Sequence, residues 1–222
     1  MKWSAKKREI LLVAKKASDL GLVTGSSGNI SVRLPGRDLS FAITTMGSQF
    51  DNMTEDNIAI VDYNLIPVEN ELTPSSESFL HKTIYENISE VRGIIHTHPV
   101  YSSIISVSQI EIPPIIDEMV ISLGGTIRVS KYAPPASTEL GDNVCQALSG
   151  RSSAIISNHG LISIGSDLKS ALDSSILTEK IAKIYVYSSL IGKVSQIPSE
   201  VADSESEIFK MQKEISSNTD DL

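Results

Sequence analysis

Hydrophobic residues along this chain recur with two alternating periods, and the changes of period mark its elements. Ile10, Leu11, Ala14 and Ala17 fall at helical spacing, which predicts a helix over 3–20 ending before Gly21. Small residues, Thr24-Gly-Ser-Ser-Gly-Asn29, form a turn that feeds a strand over 29–33, and Pro35-Gly36 turns the chain into a strand over 39–44. Residues 58–62 form another strand, turned at Tyr63-Asn64 into 65–67. Thr73-Pro-Ser-Ser76 reads as a helix start, with Glu77 in the first turn and the helix running to about Asn87.

In the second half, the apolar run Val91–Ile95 leads into His96-Thr97-His98, where Pro99 stops the strand, and a short helix spans about 99–107. Gly124-Gly125 introduces a strand over 126–129, and a helix covers roughly 138–149. Residues 153–159 form a strand closed by His159, and a long helix runs from about 167 to 191. Hairpin-like strands interleaved with helices predict an α/β/α architecture: a central, mostly antiparallel sheet flanked by helices. One domain is expected over 1–195, followed by an acidic tail over 196–222, helical or disordered and frayed at its end.

Composition narrows the function classes. With 222 residues, 41% hydrophobic and 21% charged, the chain suits one soluble domain with a full core. Its longest apolar stretches are about six residues, so no membrane span is expected. The first eight residues lack the apolar core of a secretory signal. The single Cys145 excludes an internal disulfide and points to the cytoplasm; beside Val144 and Ala147 in a predicted helix, it reads as a small buried hydrophobe. Net charge is −8, and no Lys/Arg cluster mixes with aromatics, so nucleic acid is not an expected partner. Lys2, Lys6, Lys7 and Arg8 read as the solvated side of the first helix, and an anionic ligand must be held by local donors against the global field.

Chemistry concentrates at the strand ends. Alternate residues of a strand share a face, so His96 and His98 project together, and two imidazoles on one rigid strand make half a metal site. His159 supplies a third imidazole, leaving a coordination position open for substrate. Glu77 is open to two readings: a helix-start carboxylate favoured by the macrodipole, or a base beside a Lewis acid and a phosphate site offered by Ser75 and Ser76. Gly25-Ser-Ser-Gly-Asn29 is either a tight turn or a set of backbone donors for an anion, and it lacks the Gly-Lys-Ser/Thr ending of a nucleotide loop. His81, four residues after Glu77, shares its helix face and either orients that carboxylate or packs.

These motifs stand in an order that resembles the class II aldolase/adducin family, over about residues 5–192, nearest its fuculose-phosphate aldolase branch. The residues carrying it are Leu20-Gly-Leu, Gly25-Ser-Ser-Gly-Asn-Ile-Ser-Val-Arg33, Thr44-Thr-Met-Gly47, Pro74-Ser-Ser-Glu77, His96-Thr-His-Pro99, Gly124-Gly125, Tyr132-Ala-Pro134 and Asn158-His-Gly-Leu161. The resemblance implies one Zn²⁺ per chain, held by Glu77, His96, His98 and His159, with Glu77 also the acid/base. It implies a phosphorylated sugar gripped at Gly28, Asn29, Met46, Gly47, Ser75 and Ser76. The implied reaction is reversible cleavage of a ketose 1-phosphate to dihydroxyacetone phosphate and an aldehyde, through a metal-stabilised enediolate. A cytoplasmic homotetramer with active sites at subunit interfaces is the implied assembly.

Three departures bear on the reaction. Met46 stands where the aldolases have threonine, which removes a hydroxyl that Thr44 or Thr45 would have to replace. Glu118 aligns over a tyrosine that lines the aldolase site, and the family's methylthioribulose-1-phosphate dehydratases carry a catalytic glutamate in a similar Glu-Met setting, so Glu118 is a second catalytic candidate. The tail also lacks the tyrosine that fuculose aldolases contribute near their end. Against the dehydratases stands the Ser75-Ser76-Glu77 run, which they lack; against the ribulose-phosphate epimerases stands Glu77, where those have aspartate. The non-catalytic adducin-like module lacks intact metal ligands, whereas all three histidines are present here.

Overall fold

The structure, a computed structural model, describes residues 3–36, 39–69 and 71–219. Its elements are α1 (Ser4–Asp19), β1 (Asn29–Arg33), β2 (Ser40–Thr44), β3 (Ile58–Asp62), β4 (Pro67–Glu69), α2 (Ser78–Asn87), β5 (Gly93–Thr97), α3 (Val100–Ser108), α4 (Asp117–Leu123), α5 (Thr138–Leu148), β6 (Ser153–Ile156), β7 (Gly160–Gly165), α6 (Leu168–Ile191) and α7 (Ser199–Thr219). The strands form one sheet in the order β4-β3-β2-β1-β5-β7-β6, and every neighbouring pair is antiparallel.

Both faces of the sheet are covered, and alternate residues divide between the layers. Phe41, Ile43, Ala59, Val61, Ile94, Ile162 and Ile164 pack against Leu80, Ile84 and Tyr85 of α2 and Leu140, Val144 and Leu148 of α5. Their sequence neighbours Ala42, Ile58, Ile60 and Ile95 turn the other way, onto Ile10 and Ala14 of α1 and Leu168 and Leu172 of α6. A third cluster joins β6 and β7 through Ile155 and Leu161 to α3, α4, the middle of α6 and the start of α7. The α/β/α layering expected from the pattern is therefore present. Among the described residues, no helix is long and apolar enough to cross a membrane.

Local differences have identifiable causes. Residues 153–159 are not one strand: the chain turns at 157–159 and continues as β7, because Asn158 takes the left-handed conformation at φ 53°. Residues 126–129 make only isolated bridges, Ile112 with Ile127 and Val129 with Ile155. The sequence pattern missed α4, although it opens on Asp117 and Glu118 and closes on Gly124 in the left-handed conformation. The tail is helical to Thr219 rather than frayed, anchored by buried Ala202 and Phe209; residues 220–222 lie outside the described residues. Lys7 is not solvated but fully buried, its ammonium 3.0 Å from Glu69, while Lys2 lies outside the described residues.

Candidate metal centre and active site

The sheet register builds the site. His96 pairs with Asn29 of β1 on one side and Ile162 of β7 on the other, and its ring is fully buried on the α2 side. Thr97 closes β5, and His98, one residue beyond, returns its ring to the same side, with the two Nε2 atoms 2.8 Å apart. The pairing of Thr97 with Leu161 brings the β6–β7 turn alongside, so His159 joins from that turn rather than from a strand end. The three ring centroids lie 4.7, 4.8 and 4.9 Å apart, with planes inclined at 62–75°. Gly160 permits the approach: a Cβ there would sit 2.5 Å from both His98 Cδ2 and the Thr97 carbonyl.

Glu77, at the N-cap of α2, completes the cluster. Its Oε2 lies 3.2 Å from His96 Nε2 and its Oε1 3.2 Å from His159 Nε2, while the Asn29 amide donates to Oε2. His96 Nδ1 lies 2.9 Å from the Leu161 carbonyl, which can only accept. That contact assigns the proton to Nδ1 and leaves Nε2 bare, pointing at a carboxylate oxygen and a second imidazole nitrogen. Such a cluster is rich in lone pairs and short of protons, and a cation is what it fits. Its separations approach the roughly 3.3 Å expected between donors on one tetrahedral ion. Histidines 96, 98 and 159 can each offer one ligand atom within 4.8 Å of the others.

Electrostatics favour the same occupant. Burial, then the neighbouring rings of His96 and His159, pulls the His98 imidazole down to about 4, and burial lowers His159 as well. Both rings are thus neutral, as ligation requires, without protons to displace near pH 7. Burial alone would raise the Glu77 carboxyl, but His96, His159 and the Asn29 amide outweigh it and hold Glu77 below the ordinary carboxylate range.

Helix α3 braces the histidines from outside. Its first turn has no side-chain cap of its own, and Glu179 of α6 accepts instead from the Tyr101 and Ser102 amides and the Ser102 hydroxyl at 2.8–2.9 Å. This fixes the chain directly after His98-Pro99. At the other end the Ser106 carbonyl accepts from the Asn158 amide at 3.0 Å, and the Gln109 side chain donates to Asn158 Oδ1 at 2.8 Å, holding the turn that carries His159.

The remaining candidates divide. Gly28 and Asn29 stand at the cluster, where a Cβ on Gly28 would meet the His96 carbonyl at 2.5 Å; Asn29 is buried and its Oδ1 has no partner among the described residues. Ser75 is buried and Ser76 exposed, directly before Glu77 at the start of α2, and the Met46-Gly47 turn is tied to that segment by the Thr45–Pro74 bridge and the Met46 amide on Thr73. Met46 itself is exposed. Of the two proposed substitutes for the lost hydroxyl, Thr44 is buried and accepts from the Ile30 amide, and Thr45 bonds Ser48 and donates to the Asn57 carbonyl. Glu118 is not brought to the cluster within one chain. It pairs with Lys180 at 2.5 Å and lines a separate cleft of about 520 Å³ with Ser122, Gly165 and Lys213.

Several positioning groups escaped the sequence reading. Glu179, Gln109 and the Leu161 carbonyl carry no local signal. Ser31 does: with Asn29 it places two polar residues on one face of a strand whose other face is Ile30 and Val32. His81 packs fully buried against Ser31, with Nδ1 2.6 Å from its hydroxyl.

With this geometry in place, the likeness to known proteins is specific. The sequence model of the family described as Class II Aldolase and Adducin N-terminal domain matches residues 8–186. An L-fuculose phosphate aldolase of Escherichia coli is 31% identical over 179 residues, 81% of either chain. A 5-methylthioribulose-1-phosphate/5-deoxyribulose-1-phosphate aldolase of Rhodospirillum rubrum is 28% identical over 201 residues, 89% of this chain and 87% of that one. A solved L-fuculose 1-phosphate aldolase, 30% identical, superposes with a TM-score of 0.87 over 93% of this chain and 97% of its own.

Proposed function

The chain belongs to the class II aldolase and adducin N-terminal domain family and is an aldolase, a carbon–carbon lyase; within that family we propose a zinc-dependent enzyme that reversibly cleaves a ketose 1-phosphate of the fuculose 1-phosphate kind to dihydroxyacetone phosphate and an aldehyde. The observation that carries the reading is the proton-poor cluster of His96, His98, His159 and Glu77, with the His96 tautomer fixed by Leu161. Three imidazoles and a carboxylate are a zinc donor set, and those four residues would hold the ion. When bound, it supplies Lewis-acid stabilisation of charge developing on a carbonyl oxygen.

Glu77 moves the proton. In the condensing direction its carboxylate takes a proton from the hydroxymethyl carbon of dihydroxyacetone phosphate, and in cleavage the same carboxyl returns it. The Asn29 amide holds that carboxylate in orientation. The phosphate is assigned to Gly28, Asn29, Gly47, Ser75 and Ser76, where the α2 N-terminus and the adjoining turn offer hydroxyls and amides. Met46 lines this turn without a hydroxyl, so the grip there is one contact poorer than in the aldolases.

A cytoplasmic homotetramer is the assembly we propose, and the outer face of α3 supports association with a second subunit. Val100, Ile104 and Val107 are exposed at helical spacing, immediately after His98-Pro99, and a neighbouring subunit covering them would abut the site. Glu118 pairs with Lys180, away from the histidines of its own chain, so a catalytic role for it requires that a neighbouring subunit supply it. The likeness to the Rhodospirillum rubrum aldolase supports 5-deoxyribulose 1-phosphate as the second substrate reading.

The test is incubation with dihydroxyacetone phosphate and a panel of aldehydes, with and without chelator. About one zinc per chain is expected, with His96→Ala losing both metal and turnover, and Glu77→Gln keeping metal but losing proton exchange at the ketose carbon. Full turnover in His96→Ala or under chelator would overturn the mechanism. A dead Glu118→Gln beside an active Glu77→Gln would transfer the case to the dehydratase.

A further inference from the structure

Strand β1 and helix α2 face each other through three polar rungs at matched intervals. Asn29 meets Glu77. Ser31 meets His81 at 2.6 Å and Tyr85 at 2.8 Å. Arg33 donates to the Tyr85 carbonyl and lies over its ring, 4.9 Å from the centroid. On the strand the residues step by two, about 6.6 Å; on the helix they step by four, about 6 Å. The two spacings nearly coincide, so one face of the strand and one face of the helix stay in step over two intervals.

We propose that this ladder is the device that sets Glu77 against the histidines, and that Ser31 and His81 are positioning residues for the carboxylate. The middle rung is the decisive one. Ser31, His81 and Tyr85 are buried almost completely, so their hydrogen bonds meet no competition from water, and sliding α2 by one residue would break them together. Glu77 stands one turn before His81 on the same face, and Asn29 two residues before Ser31. Fixing the Ser31–His81 pair therefore fixes how Asn29 presents its amide to Glu77, and where the carboxylate stands relative to His96 and His159.

This rests on the proposed metal site, and the experiment separates the two. Zinc affinity is measured by competition with a chromogenic chelator, and thermal midpoints are measured on the metal-free protein, for wild type, Ser31→Ala, Ser31→Thr and Arg33→Met. Ser31 is bonded to a residue beside the ligand set and not to a ligand, so its loss should fall below the 10–100-fold typical of direct outer partners, at about three- to tenfold. Ser31→Thr keeps the hydroxyl and should restore most of the affinity. Arg33→Met removes the end rung, two intervals from Glu77, and should lower the thermal midpoint at least as far as Ser31→Ala while leaving zinc affinity within about twofold of wild type. Proton exchange should follow the affinity series. Wild-type affinity in Ser31→Ala, or zinc losses that simply track the thermal midpoints across the set, would overturn the ladder alone. Wild type that binds no zinc would overturn the functional reading, and the ladder's role with it.

Discussion

Gly160 stands at the site where a side chain has no room. Gly160 opens β7 beneath the three imidazoles, and a methyl group there would lie 2.5 Å from His98 Cδ2, 2.5 Å from the Thr97 carbonyl oxygen and 3.3 Å from His96 Cε1. Ordinary carbon–carbon contact begins near 3.5 Å, so Gly160→Ala demands about 1 Å of movement. The Thr97 carbonyl is strand backbone and yields little. The burden falls on the His98 ring and on the first pair of the β5–β7 ladder, Thr97 with Leu161. Metal ligands tolerate displacements of about 0.2 Å, so a shift several times larger should cost zinc affinity at least tenfold, and about 1–3 kcal/mol of stability from overpacking.

A control keeps the two effects apart. Gly93 opens β5 at the far end of the same pairing, opposite Gly165, and a Cβ there would meet the Asp167 carbonyl carbon at 2.7 Å. Gly93→Ala should therefore lose comparable stability in urea while its zinc affinity, read by chelator competition, stays near wild type. Equal zinc affinity in Gly160→Ala and wild type would refute the claim that the histidines are packed against that α-carbon. Equal losses in both variants would reduce the effect to general destabilisation.

Two further outcomes follow from buried and capped groups. Burial, and then His96, presses the His81 imidazole from 6.5 down to about 3. Between those values the unfolded chain holds a proton that the folded chain refuses, so stability falls as pH drops below 6.5, by about 1.4 kcal/mol per unit for this residue. Chelator-treated His81→Gln should show a slope shallower by that amount in unfolding free energies from urea titrations between pH 6 and 5; superimposable slopes would contradict the burial argument. Glu179→Ala removes three acceptor contacts from the start of α3 and should cost about 1–2 kcal/mol, with raised hydrogen exchange at Tyr101 and Ser102, whereas Glu179→Gln should retain part of the cap. Unchanged protection at those two amides in Glu179→Ala would show that the carboxylate does not hold α3.

Much of the fold was legible because both periods are clean. Val91–Ile95 read as an apolar strand, and Ile10, Ala14 and Ala17 as one helical stripe; the layers bury Ile94 on one face of that strand and Ile95 on the other. The β6–β7 hairpin was lost because apolar runs, Ala154–Ile156 and Leu161–Ile162, stand on either side of the short polar stretch Ser157-Asn158-His159. That stretch read as the end of a strand, not as the turn between two. The site divides in the same way. Glu77, His96, His98 and His159 announce themselves by residue type, whereas Gln109 and Glu179 are ordinary surface types until α3 and α6 place them. Glu118 shows the converse: its alignment suggested a catalytic group, yet its position on α4 directs it to Lys180.

A strand with isoleucine on both faces poses a problem that hydrophobicity cannot solve. Ile94 and Ile95 would be nearly as well buried with β5 turned over, but a slip of one residue reverses the faces and would send His96 into the α1–α6 layer. What forbids the slip is steric. At its two ends β5 is approached by backbone so closely that no side chain fits: Gly28 against the His96 carbonyl, Gly160 against the Thr97 carbonyl, Gly93 against Asp167, each within 2.7 Å of a notional Cβ. A slip of β7 that put Leu161 in the place of Gly160 would drive its side chain onto the Thr97 carbonyl, and a slip of β1 that put Asn29 in the place of Gly28 would drive its side chain onto the His96 carbonyl. Glycine spacing around β5 thus specifies the register that the apolar pattern leaves open. The three imidazoles converge because that register is the one in which these α-carbons have room.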